Sequence, residues 1–367
     1  MTNPYRGRPG HSFWRQGVAA RVAEGVDPVV AMPFAIAPTD AVATAGSCFA
    51  QHLSRSLVAQ GFRYLVTEEF AGTPGTRDEG YGVFPARFGN LYTARQLRQL
   101  IDRAYGIFRP QARGWALPGG GLADPFRPRI QAGGFADAAM LDADRSRHLA
   151  AVRRMFEACD VFIFTLGLTE GWVAGRDGAA VPLHPGVLGV ATEPGDWRFE
   201  NAGFAETLAQ LEAFLATLRS VNPRVRVMLT VSPVPLVATY EDRHVLVSTM
   251  ASKAILRAVA DELVRRDPSI GYFPAFEIVT GPQTGARFYA EDLREVTPEG
   301  VAFVMALFRR HCLVGTPAEI PPPPPRPGAP LPAPVSAEER ARYAALTKVI
   351  CDEEAVVMPM GVPGRAT

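Results

Sequence analysis

The chain reads as an α/β protein with a parallel sheet covered by helices on both faces. Three observations lead there. Val161–Thr165 (VFIFT) and Val225–Val231 (VRVMLTV) are continuous apolar runs of strand length, the pattern of strands buried on both faces. Amphipathic helical patterns alternate with them, as βαβ units require. The most distinctive residues follow these strands, and ligands of open α/β sheets bind outside the carboxyl ends of strands.

The elements follow in order. Residues 1–35 are a polar, proline-containing lead-in, expected to pack over the main domain. A strand at 41–45 runs into a helix at 49–60 (FAQHLSRSLVAQ), whose Leu53, Leu57 and Val58 give a core-facing stripe and which Gly61 can end. A Gly-, Pro- and charge-rich loop covers 67–88, and Gly89–Thr93 leads into a helix at 94–105 with Leu97, Leu100 and Ile101 on one face. Residues 109–135 form a long excursion dense in Gly, Pro and Arg, the mark of a functional or disordered loop. The helix at 138–158 aligns Leu149, Val152, Met155 and Phe156 and feeds the strand at 161–165. A second insertion, 171–200, precedes the helix at 204–219, the strand at 225–231, a helix at 250–266 stopped by Pro268, a short strand at 270–274 and a helix at 298–311. The α/β domain therefore spans 36–315. Pro321–Pro334 lies in an extended linker, 316–336, and the tail 337–367 holds one short amphipathic stretch, 337–349, which can stay solvated or dock on this chain or a partner.

Composition narrows the function classes. The 367 residues are 47% hydrophobic and 20% charged, which suits a globular protein with a large core, and a net charge of +1 argues against a nucleic-acid partner. Apolar runs such as Val161–Leu168 are too short to span a bilayer, and MTNPYRGRPGHSFWRQG lacks the apolar centre of a signal peptide. The expectation is a cytoplasmic protein without a membrane partner. Cysteines at 48, 159, 312 and 351 show neither metal nor disulfide spacing and read as free buried thiols. No cofactor is expected: Pro118-Gly-Gly-Gly121 lacks the strand-then-helix setting of a nucleotide loop.

The segment Ala41–Ala50 (AVATAGSCFA) carries the chemistry. Ser47 falls where a strand turns into a helix, among unpaired N–H groups that favour negative charge developing on an acyl oxygen. An ordinary helix cap is the structural alternative for this serine. Cys48, a thiol beside the same helix start, is a rival nucleophile.

GSCFA at 46–50 resembles the GSCFA family, a branch of the SGNH/GDSL-like hydrolases. Phe88–Thr93 (FGNLYT), Asp124–Pro128 (DPFRP), Thr165–Trp172 (TLGLTEGW), Thr230–Pro235 (TVSPVP), Ser252–Arg257 (SKAILR) and Tyr272–Val279 (YFPAFEIV) extend the likeness over 35–312. It implies a three-layer flavodoxin-like fold and carboxyl-ester or acyl-transfer chemistry on a serine. By that resemblance Ser47 is the nucleophile, and its N–H, the Gly89 N–H and a third donor form the oxyanion hole. The usual Gly-x-Asn-Asp block is Gly167-Leu168-Thr169-Glu170 here, so the third donor is either the Thr169 hydroxyl or the Asn90 amide. Such a donor is worth about 3–4 kcal/mol.

One departure matters more. The Asp-x-x-His expected before the last helix is Asp292-Leu293-Arg294-Glu295, and an ordinary carboxylate, with a pKa near ~4.3, is a poor base for a serine. His244, on the expected loop after Ser232–Pro235, takes that role by elimination among six histidines, with Asp292 or Glu295 holding its ring; a loop histidine without a role is the alternative. Arg127, Glu170 and Ser232 are expected at the substrate, Arg127 either clamping an anionic or sugar ligand or pairing with Asp124. The sequence thus supports a serine acyl esterase or acyltransferase acting on a small-molecule or carbohydrate acyl group. The missing histidine supports a non-catalytic glycan- or protein-binding module instead.

Overall fold

A computed structural model describes residues 3–21, 26–69, 80–315 and 354–357. The linker at 316–336 and the expected tail helix at 337–349 lie outside the described residues.

Four parallel strands form the central sheet: β1 (Val42–Gly46), β4 (Val161–Leu166), β8 (Arg226–Val231) and β9 (Ile270–Tyr272), side by side in that order. Val161 lies opposite both Val42 and Arg226, which sets the register of the three longest strands. A single parallel bridge, Val42 to Tyr64, continues the sheet beyond β1. It occupies the place of the second strand in a flavodoxin-like 2-1-3-4-5 order.

Alternation along the strands divides the core. Ala43, Ala45, Phe162, Phe164, Val227 and Leu229 face one side, where α2 (Ala94–Ala104), α3 (Ala138–Ala158), α4 (Phe204–Val221) and α5 (Val245–Arg266) contribute Leu97, Val152, Leu215 and Val259. Val42, Val161, Ile163 and Met228 face the other, against α1 (Ala50–Ala59), α6 (Ala275–Thr280) and α7 (Pro298–Cys312). Helices thus cover both faces, giving three layers. Phe162 and Phe164 are fully buried, each contributing roughly 1.5–3 kcal/mol.

Local chemistry sets the helix limits. Thr93 and Gln96 form a reciprocal capping box on α2, Asp137 accepts from Met140 N–H at the start of α3, and Thr297 caps α7 ahead of Pro298. Gly61, at φ +75°, follows α1 in the left-handed region.

Several expectations need correction. Val58 is 58% exposed, and Phe49 joins Leu53 and Leu57 on the buried face of α1. On α3 Val152, Met155 and Phe156 are fully buried as expected, but His148 joins them in place of Leu149, which is half-buried. The first insertion contains a hairpin, β2 (Trp115–Ala116) with β3 (Leu122–Ala123). The second folds into an antiparallel sheet in which β5 (Glu170–Ala174) lies between β6 (Ala180–Val181) and β7 (Trp197–Asn201). The lead-in divides: residues 3–12 are mostly exposed, whereas Val29 joins the core beside α7. Most consequential, α5 begins at Val245, five residues before the expected start at Met250.

Among the described residues no helix is long and apolar enough to cross a membrane.

Candidate functional site

Ser47 leaves the carboxyl end of β1 directly after Gly46, whose φ is +136°. A Cβ at Gly46 would lie 2.3 Å from the Thr165 carbonyl oxygen, so only glycine fits. The Ser47 side chain is buried and its hydroxyl has no hydrogen-bond partner. Its own N–H, expected in the oxyanion hole, donates to the Thr165 carbonyl at 3.2 Å. Cys48 is buried in the same turn.

Two further segments close on this corner. Leu91 N–H donates to the Gly46 carbonyl at 2.8 Å, and Gln51 on α1 donates its side-chain amide to Asn90 Oδ1 at 3.2 Å. These bonds hold Gly89–Thr93 against the start of α1. Gly167 and Leu168 both donate backbone N–H groups to the Tyr92 carbonyl. The structure therefore brings Ser47, Asn90 and Gly167 to one edge of the sheet. Gly89, at φ +71°, and Asn90 line a cavity of about 60 Å³ that Arg127 also lines.

The remaining expected residues divide by what they hold. The Thr169 hydroxyl donates to Asn201 Oδ1 at 2.7 Å, and its N–H donates to Ser252 Oγ, so it ties β5 to β7 and α5. Ser232 is buried and its Oγ accepts from Val234 N–H, a turn-forming bond. Glu170 accepts from the Thr239 hydroxyl and Tyr240 N–H, and burial raises its carboxyl above the usual range. It lines the largest cleft described, about 680 Å³, with Trp172, His184, Trp197, Phe199 and Tyr240. Trp172 meets the rings of His184, Phe199 and Tyr240 with centroids at 4.5, 5.7 and 4.8 Å.

His244 does not lie within the loop that leaves β8 but at its end, where the helix begins. It is the exposed N-cap of α5, and its Nδ1 accepts from Leu246 N–H at 3.1 Å. Asp292 and Glu295 are exposed, and Asp292 Oδ1 accepts from the N–H groups of Arg294 and Glu295, forming a turn. No hydrogen bond or ion pair joins either of them to His244 among the described residues. His52, on α1, packs its ring on Phe49, and burial with a smaller effect of Arg55 pulls it down to about 4.

Arg127 is buried with Asp124 and Asp144, 2.9 and 2.7 Å from its Nη2. The ion pair anticipated as the structural alternative is formed, yet its Nη1 has no partner.

Lys253 is the residue that sequence reasoning missed. It is 1% exposed, and its ammonium donates to the Gly167 carbonyl at 2.7 Å, holding the segment that touches Ser47. Its place in SKAILR at 252–257 was the available signal, but a lysine inside an amphipathic helix ordinarily marks the solvated face.

The family model described as the GSCFA family matches residues 41–308. No curated protein and no solved structure matches the chain.

Proposed function

Because the chain belongs to the GSCFA family, we propose that it is a serine-dependent acyl esterase or acyltransferase of the SGNH type, with Ser47 as nucleophile. One observation carries this reading: a buried hydroxyl without a partner, at the turn from the first parallel strand into a helix, beside Gly167 and Asn90. A buried unpartnered hydroxyl costs stability, and such a cost persists where the group has a task. In this reading Ser47 Oγ attacks the acyl carbonyl carbon, and the proton leaves to a base as the C–O bond forms. The donors for the developing oxyanion in this reading are the Gly89 N–H and the Asn90 amide, which line one cavity, whereas the Ser47 N–H donates to Thr165 and the Thr169 hydroxyl to Asn201.

The substrate class is an acylated sugar or polysaccharide precursor. The aromatic cleft beside Glu170 supports it, because Trp172, Phe199 and Tyr240 offer flat apolar faces next to a carboxylate acceptor.

A second reading is a non-catalytic glycan- or protein-binding module on the same fold. It is favoured by the absence of any histidine bonded to Ser47 and by the commitment of His244 to capping α5. A fluorophosphonate probe separates the two. Covalent labelling lost in Ser47→Ala and kept in Cys48→Ala supports the enzyme and its nucleophile; the reverse pattern transfers the role to Cys48. No labelling of the wild type supports the binding module.

A further inference from the structure

Away from Ser47, three residues that each carry a buried nitrogen without a partner line one small cavity. Arg103, on α2, lays its guanidinium carbon 3.7 Å above the Phe126 ring and forms no ion pair among the described residues; its Nη2 has no partner there. Arg127 Nη1 and His148 Nε2 are likewise buried and unpartnered. All three residues line a cavity of about 10 Å³ together with Phe88 and Phe126. Its neighbour, the 60 Å³ cavity beside Gly89 and Asn90, shares Phe88, Phe126 and Arg127, and its rim includes the exposed Arg129.

The polarity of this chamber is defined. Glu68 Oε2 lies 2.7 Å from His148 Nδ1, and a carboxylate there holds the Nδ1 proton, leaving Nε2 as an acceptor. Asp124 and Asp144 are occupied by Arg127, Arg145 and Arg87. Burial pulls Arg103 down to about 9, while Asp124 opposes the shift and Arg127 and Arg145 add to it. The small cavity holds about one water-sized group, and two guanidinium groups are in its lining.

We propose that the two cavities form one binding site for a carboxylate or phosphate group. One anionic oxygen takes the chamber between Arg103 and Arg127, and a ligand hydroxyl, where present, donates to His148 Nε2. The body of the ligand occupies the space beside Gly89 and Asn90. The site requires no chemistry at Ser47.

Thermal unfolding of the full chain in sodium acetate and in sodium phosphate, each against chloride at equal ionic strength, tests it. At about a hundredfold excess over Kd, one-site binding raises Tm of a chain this size by about 3–5 °C. The expected result is such a saturable rise in at least one anion, unchanged in Ser47→Ala and absent in Arg103→Met; which anion acts tells carboxylate from phosphate. A wild type that responds as in chloride overturns the proposal, as does an Arg103→Met response equal to wild type. Should Arg103→Met fail to fold, wild-type crystals soaked in selenate decide. An anomalous peak within hydrogen-bond reach of Arg127 Nη1 supports the site, and a chamber holding only water refutes it.

Discussion

Gly167 and Ser47 are in contact across the sheet edge: a methyl group on Gly167 would lie 3.0 Å from Ser47 Cβ and 3.0 Å from the Tyr92 carbonyl oxygen. The hydroxyl of Ser47 therefore has its place because its neighbour has no side chain. Gly167→Ala must push either Ser47 or the Tyr92 backbone by a few tenths of an ångström. We predict at least a tenfold slower labelling of Ser47 by a fluorophosphonate probe, with Tm lowered by only a few degrees. An unchanged labelling rate would show that this contact does not set the geometry of the serine.

Gly46→Ala is the harsher change. A Cβ there meets the Thr165 carbonyl at 2.3 Å, with φ already at +136°. We expect a loss of more than about 3 kcal/mol or no soluble protein. Denaturant unfolding with less than about 1 kcal/mol lost would contradict this backbone path.

Lys253→Met removes the donor from the Gly167 carbonyl and should cost about 1–3 kcal/mol in denaturant unfolding. Slower labelling of Ser47 should accompany it, because the bond holds the segment that Ser47 touches. A variant with wild-type stability and labelling would remove Lys253 from the site.

Acid should destabilise the protein in two stages. Burial, with Arg55 acting on His52 and Arg127 on His148, lowers both histidines from 6.5 to about 4. The unfolded chain takes up these protons near pH 6.5 and the folded chain resists until about pH 4. Their contribution is thus full above pH 6.5 and is lost as pH falls to about 4. Asp124 differs: against the effect of burial, Arg127, Arg145 and Arg103 hold its carboxyl well below the usual range. Its contribution is complete above about pH 4 and is lost only below that. Tm measured from pH 8 to pH 3 should show both declines, with the first made shallower in His52→Gln. An unaltered first decline in that variant would exclude His52 as a source.

Removal of residues 316–367 tests the tail. A proline run continues neither helix nor sheet, so the domain ending at residue 315 should melt within a few degrees of the full chain. The short helix α8 (Glu354–Val357) packs beside Pro185–Leu188 and puts Val356 in the lining of the aromatic cleft. Acrylamide should therefore quench tryptophan fluorescence more strongly after truncation. Loss of soluble protein would mean that the tail belongs to the core.

Much of the architecture was legible because the signals are local. VFIFT and VRVMLTV mark buried strands within their own few residues, and Thr93, Asp137 and Thr297 mark helix starts by their hydroxyl or carboxylate reach to nearby N–H groups. The GSCFA segment likewise placed Ser47 at a strand–helix turn, as observed. Asn90 and Gly167 join it only because long-range bonds to Gln51 and Tyr92 bring three distant segments together.

Long-range packing decided the rest. Val245–Thr249 is rich in β-branched residues of low helix propensity, yet burial of Ser248 and Thr249 extends α5 through them and turns His244 from a loop residue into a cap. The strands of the second insertion pair residues about thirty apart, Glu170 with Asn201, so neither strand announces its partner. The pairing of Arg127 with Asp124, three residues away, was legible, but the second carboxylate of Arg127 and the burial of His148 were not: Asp144 and Glu68 reach them only in the folded chain.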